Sequence, residues 1–173
     1  MQYVKIASFA FALGYMSGSV SAEEWQKPTL PAALALEAAK AAVEKCAAGG
    51  DFVSVSVVDN SGELRAFLKG DKATVHTRDS SFRKAYTTVT FGPVFAFDRS
   101  SDFVAKLKAN PNAPALASIP NILPLPGAVA VKVDNVFLAA IGVSGAPDGM
   151  RDEACAKAGL DAIHDKLEMR TSP

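Results

Sequence analysis

Phe52-Val53-Ser54-Val55-Ser56-Val57-Val58, followed by Asp59-Asn60-Ser61-Gly62 and Glu63-Leu64-Arg65-Ala66-Phe67-Leu68, is the stretch that frames the chain. Val53, Val55 and Val57 alternate with Ser54 and Ser56, so an extended strand presents valines on one face and serines on the other. That pattern predicts a half-buried strand. Asp59 to Gly62 supplies residues that bond their own backbone or accept positive φ, and Leu64, Ala66 and Leu68 then alternate with Arg65 and Phe67. The two runs predict a β-hairpin.

A polar crossing at Lys69 to Lys72 leads to Ala73-Thr74-Val75-His76-Thr77 and then to helical spacing, with Phe82, Ala85, Tyr86 and Val89 at i, i+3, i+4 and i+7. Thr77 or Asp79 is the expected cap, and Gly92-Pro93 the expected stop. His76 therefore stands just before a helix that leaves a hairpin, the best candidate site in the chain.

With 173 residues, 49% of them apolar, the chain has enough material for one domain with its own core. Its formal charge is zero and no run of lysine or arginine forms a patch, which argues against a nucleic-acid partner. Residues 1–22 differ in kind: Lys5, an apolar run from Ile6 to Met16, and small residues ending Val20-Ser21-Ala22. This predicts a signal peptide cleaved after Ala22, too short in its apolar run to span a bilayer, followed by a single domain over 23–173. The expected location is periplasmic or extracellular, with no membrane association after cleavage. In an oxidising compartment Cys46 and Cys155, both in helical stretches, are expected to form a disulfide if the fold brings them close enough.

Elsewhere the chain reads as a helix over Pro28 to Gly50 with Leu36, Ala39, Val43 and Cys46 facing a core, and a short helix over Asp98 to Lys108 capped by Ser100 or Ser101. Asn112 to Gly127 reads as an apolar loop stiffened by prolines, lying over a pocket, a neighbouring subunit or the core. Ala128 to Val133 and Val136 to Ser144 form a second strand pair around Asp134-Asn135. The return strand is apolar on both faces, as a central strand is. The last helix, Arg151 to Glu168, carries Asp152 and Glu153 in its first turn, where they suit the helix dipole, and Ala156, Leu160, Ile163 and Leu167 as its apolar stripe.

Hydrolytic chemistry is hard to assemble. Gly142-Val143-Ser144-Gly145 is no nucleophile elbow, the glycines after it make no phosphate loop, and no histidine pair offers a zinc site. After cleavage the ligands available to an iron are His76, His164, Tyr86, Met150 and Met169, plus the two cysteines if they are not bridged. The chemistry fits a module binding something mostly apolar, with His76 as metal ligand and no catalytic residues. Arg78, Arg83 and Lys84 are placed to meet carboxylates such as haem propionates, and Tyr86 and Thr87, with Thr88 and Thr90, to line the same site. The competing reading makes these charges the wet face of a helix, and His164 an ordinary helix residue.

Three segments together resemble the GlcG/HbpS family of haem-binding or haem-degrading proteins: Val57-Val58-Asp59-Asn60-Ser61-Gly62-Glu63-Leu64, Arg83 to Phe91, and Ala140 to Ala146 followed by Asp152-Glu153-Ala154-Cys155-Ala156. The likeness runs from about Leu30 to Leu167. It implies an α/β domain of α+β type, with an antiparallel sheet of four to five strands flanked by N-terminal, middle and C-terminal helices. It also implies symmetric homo-oligomers and, in secreted members, haem as cofactor. The function expected is an exported protein that holds, transports or helps degrade haem. The rivals are a small-molecule or corrinoid-binding accessory protein of a glycolate-type pathway and a structural assembly subunit.

Overall fold

The structure, a computed structural model, describes residues 28–168. The signal-peptide segment and Met169 lie outside the described residues. Nine elements follow in order: α1 (Ala32–Ala48), β1 (Ser54–Asp59), β2 (Leu64–Lys69), α2 (Thr77–Phe95), α3 (Ser100–Leu107), α4 (Ala113–Ala117), β3 (Ala128–Val133), β4 (Val136–Ser144) and α5 (Gly149–Glu168). The four strands form one antiparallel sheet in the order β2-β1-β4-β3. The expected α+β architecture is therefore present, with both hairpins at their expected positions and β4 in the centre. Asp134 and Asn135 both take positive φ, 48° and 64°, which is what a two-residue turn between right-twisted strands requires.

One face of the sheet is closed by α1 and α5. Val55, Val57, Val131, Ile141 and Val143 meet Leu34, Ala38 and Ala42 of α1 and Ala156 and Ile163 of α5 in a single buried cluster. Cys46 and Cys155 join the two helices across it as a disulfide, with Cα atoms 5.6 Å apart. The alanines of α1 allow close approach to α5: a Cβ on Gly159 would stand 2.6 Å from the carbonyl oxygen of Ala38. The helix is shorter than Pro28 to Gly50, because Pro31 is its N-cap and Gly49 its C-cap. Leu36, expected in the core, is 58% exposed. Ala39 and Cys46 are buried as expected and Val43 packs against the core, while Leu34, Ala35, Ala38 and Ala42 widen the buried side away from Leu36.

On the other face lies α2, and here the half-buried strand becomes a fully buried one. Ser54 and Ser56 point at α2, where their hydroxyls stand 2.8 Å from Thr77 and 2.9 Å from Ser81. Thr77 and Ser81 spend their own protons on the carbonyls of Thr74 and Arg78, so the two sheet serines act as donors. Each buried hydroxyl is thus satisfied. Gly142 lets the helix come this close, since a Cβ there would sit 2.2 Å from the carbonyl oxygen of Ser81.

Three further expectations are corrected. The α2 helix runs through Gly92-Pro93 to Phe95, since a proline in the last turns removes only one N–H, and the helix ends where Ala96 turns left-handed at φ 51°. Its N-cap is His76, without a side-chain capping bond, rather than Thr77 or Asp79. In the apolar proline segment, Pro114 fits the first turn of a short helix, α4, so the stretch is not wholly loop.

Candidate functional site

The packing of α2 separates the predicted site residues. His76 is exposed at the N-cap, its carbonyl accepting from the Ser80 backbone and hydroxyl. Arg78 lies on the flank facing β2, where it lines a cleft of about 440 Å³ with Leu64, Phe67, Asp79 and Phe82. Tyr86 continues that flank, its ring 5.8 Å from Phe82 and against Gly62, whose φ of +84° and missing Cβ make room for it.

On the opposite flank, Arg83 donates to the carbonyl of Ile122 at 2.9 Å, and Thr87 accepts from the N–H of Leu123 while donating to the carbonyl of Arg83. Both are occupied in tying the proline-rich segment to the helix. Thr88 and Thr90 likewise donate to helix carbonyls, those of Lys84 and Tyr86. A threonine in a helix returns its proton to the preceding turn when no better acceptor is near.

The sequence reads Lys84 as a side chain placed to meet a ligand's carboxylate. It is buried instead, with its Nζ 2.8 Å from Asp152 and 3.1 Å from the carbonyl of Val143. Asp152 also accepts from the N–H of Ala146, so the backbone amides after β4 meet an anion supplied by the chain itself. Burial pushes the Asp152 carboxyl above its ordinary value, against the pull of Lys84 and of the Ala146 and Gly145 backbone. Glu153 is also buried and takes the hydroxyl and N–H of Ser101 and the hydroxyl of Ser100. These two acids are α5's anchors to α2 and α3. The sequence placed them in a first helical turn but could not say what stood opposite.

A second groove, of about 590 Å³, runs between β3 and α5. Val133, Leu160 and Leu167 give it apolar walls, Arg99, Lys132 and Lys157 stand around it, and His164 lines it. Sequence reasoning passed over this groove, because its walls come from segments some thirty residues apart and its histidine looked like ordinary helix surface. His76 lines neither groove.

Among the described residues no group of three or more histidine, cysteine or acidic side chains could hold a bare metal ion. A porphyrin iron has less to ask of the protein, since the macrocycle supplies four nitrogens and one side chain completes an axial position. The β3–α5 groove offers apolar walls, three cations and an imidazole, beside the carboxylates of Asp98 and Asp134. No described helix is long and apolar enough to cross a membrane.

The family model described as haem degrading protein HbpS-like matches residues 30–161. A double mutant of Streptomyces reticuli HbpS is 35% identical, covers 92% of this chain and 99% of its own, and superposes with a TM-score of 0.73. A second HbpS structure gives 34% identity, 91% and 99% coverage and the same TM-score of 0.73. A complex of PduOC with heme, 20% identical and covering 78% of this chain and 95% of its own, shares the fold with a TM-score of 0.68. Among curated proteins none matches the chain.

Proposed function

The chain belongs to the HbpS-like family of haem-degrading proteins, and from that premise we propose that it is an exported protein that binds haem. The observation that carries the reading is the likeness to HbpS, 35% identical over 92% of this chain. The chain's own chemistry supports it: a groove with apolar walls, cations and an imidazole suits a flat amphiphile bearing carboxylates and an iron. The protein holds or transports the haem. Degradation is the extension that the family's description suggests.

Export rests on the leader-like residues 1–22, with cleavage after Ala22 and a periplasmic or extracellular destination. The Cys46–Cys155 bridge is in keeping with an oxidising compartment. Homo-oligomer assembly is part of the same proposal and is carried over from the resemblance to the family.

The test is gel filtration of the purified protein after incubation with haem, with iron and protein measured across the peak. About one haem per chain eluting with the protein is the expected result. Haem eluting entirely apart from it would remove the reading and leave the accessory-protein and assembly-subunit alternatives.

A further inference from the structure

We propose that the cleft between β2 and the first turns of α2 is a separate binding site, and that it takes a free α-amino acid with a flat apolar side chain. The inference does not depend on the haem reading above.

The cleft exists because α2 packs over β1 and β4, while β2 is the edge strand beside them. Pairing with β1 sets Phe67 opposite Ser56 and Leu64 opposite Val58, on the side of the sheet that α2 covers. From α2 come Arg78 and Phe82, one turn apart on the flank facing β2. Leu64, Phe67 and Phe82 are the apolar walls of a space of about 440 Å³, and Ser56 lies beneath them with its hydroxyl already bonded to Ser81. That volume falls within the range of small-molecule sites, about 300–1,000 Å³. Tyr86, its ring 5.8 Å from that of Phe82, extends the aromatic surface toward Gly62. A flat ring laid against Phe67 and Phe82 leaves water and gains the offset or edge contacts that aromatic pairs prefer.

The two charged residues of the lining decide the head group. Arg78 is exposed, and among the described residues no hydrogen bond or ion pair engages its guanidinium. It is free to hold a carboxylate through two parallel N–H bonds, at the helix end whose dipole favours an anion. Asp79 is the next residue, 73% exposed, and its pair with Arg83 spans 3.7 Å, beyond a hydrogen bond. An exposed pair of this kind contributes little, so a ligand ammonium can share the Asp79 carboxylate. A lone carboxylate would meet Asp79 as well as Arg78, and a lone amine would meet Arg78 as well as Asp79. An α-amino acid bears both groups on one carbon and answers both side chains.

The test is a titration of the purified, ¹⁵N-labelled protein followed by amide NMR, with three probes: L-phenylalanine, 3-phenylpropanoate, which lacks the amine, and phenethylamine, which lacks the carboxylate. Phenylalanine should give saturable shifts at residues 64–67 and 78–82 and bind about tenfold more tightly than either analogue. Arg78→Gln should weaken phenylalanine about tenfold without weakening phenethylamine, and Asp79→Asn should bring phenylalanine to the level of 3-phenylpropanoate. Both side chains are exposed, so the variants should keep the parent's dispersed spectrum. Shifts that do not saturate, shifts that map outside the cleft, or 3-phenylpropanoate binding the parent as tightly as phenylalanine would each overturn the proposal.

Discussion

Reducing the Cys46–Cys155 bridge should cost this protein a large part of its stability. The two sulfurs connect α1 to α5 across 109 positions of sequence, enclosing β1, β2, α2 and the whole second strand pair. In the chain-entropy account, freeing a loop of about 110 residues returns roughly 16 cal/mol/K to the unfolded ensemble, or about 4.8 kcal/mol at 25 °C. For a domain of this size each kcal/mol moves the melting temperature by about 2–4 °C, so the midpoint should fall by about 10–19 °C. Both cysteines are buried, and the bridge is part of the packing between the helices, so a Cys46→Ala, Cys155→Ala double variant should lose somewhat more than the reduced parent. The assay is urea unfolding of the oxidised and the reduced protein. The slope should also rise on reduction, because the unlinked chain exposes more surface. A loss below about 1 kcal/mol, with unchanged slope, would refute the argument that the bridge acts by restraining the unfolded chain.

Other consequences concern α2. Lys84→Met removes the cation from a buried carboxylate and should cost about 3–5 kcal/mol at pH 7, measured by urea unfolding; a loss under about 1 kcal/mol would mean that water reaches the pair. The same variant should be relatively less impaired in acid. Burial already raises the folded-state pKa of Asp152 above 3.8, so its contribution to stability falls as pH rises from the unfolded value through the folded one. Losing Lys84 raises that pKa further, so the gap between variant and parent should widen with pH; a gap that narrows would contradict the burial argument. Gly142→Ala puts a methyl 2.2 Å from the Ser81 carbonyl oxygen and should destabilise by about 1–3 kcal/mol, with a melt near that of the parent counting against the close packing of α2 on β4.

The second strand pair was legible because its signals are local: period-two alternation, an Asp-Asn turn and an apolar return strand act within a few residues of one another. Local period also placed Ser54 and Ser56 on one face of β1, but it cannot say what covers that face. The covering helix turned out to be polar underneath, with Thr77, Ser81 and Lys84 buried, so the usual equation of polar with outward failed for strand and helix together. Lys84 illustrates the difficulty. Its partner lies 68 residues away, and nothing near Lys84 distinguishes it from the exposed Arg78. The candidate site suffered in the same way: reading along α2 gathered His76, Arg78, Arg83, Lys84, Tyr86 and Thr87 as neighbours in sequence, and the helix distributes them over an open end, two flanks and an underside. The groove lined by His164 is made where β3 meets α5, a juxtaposition only the folded chain provides.

The most direct measurement is a titration of the purified protein with haem, followed at the Soret band. The account predicts a saturable change that ends at about one haem per chain, with a band distinct from that of free haem. A response that grows linearly without saturating, at the wavelength of unbound haem, would contradict it.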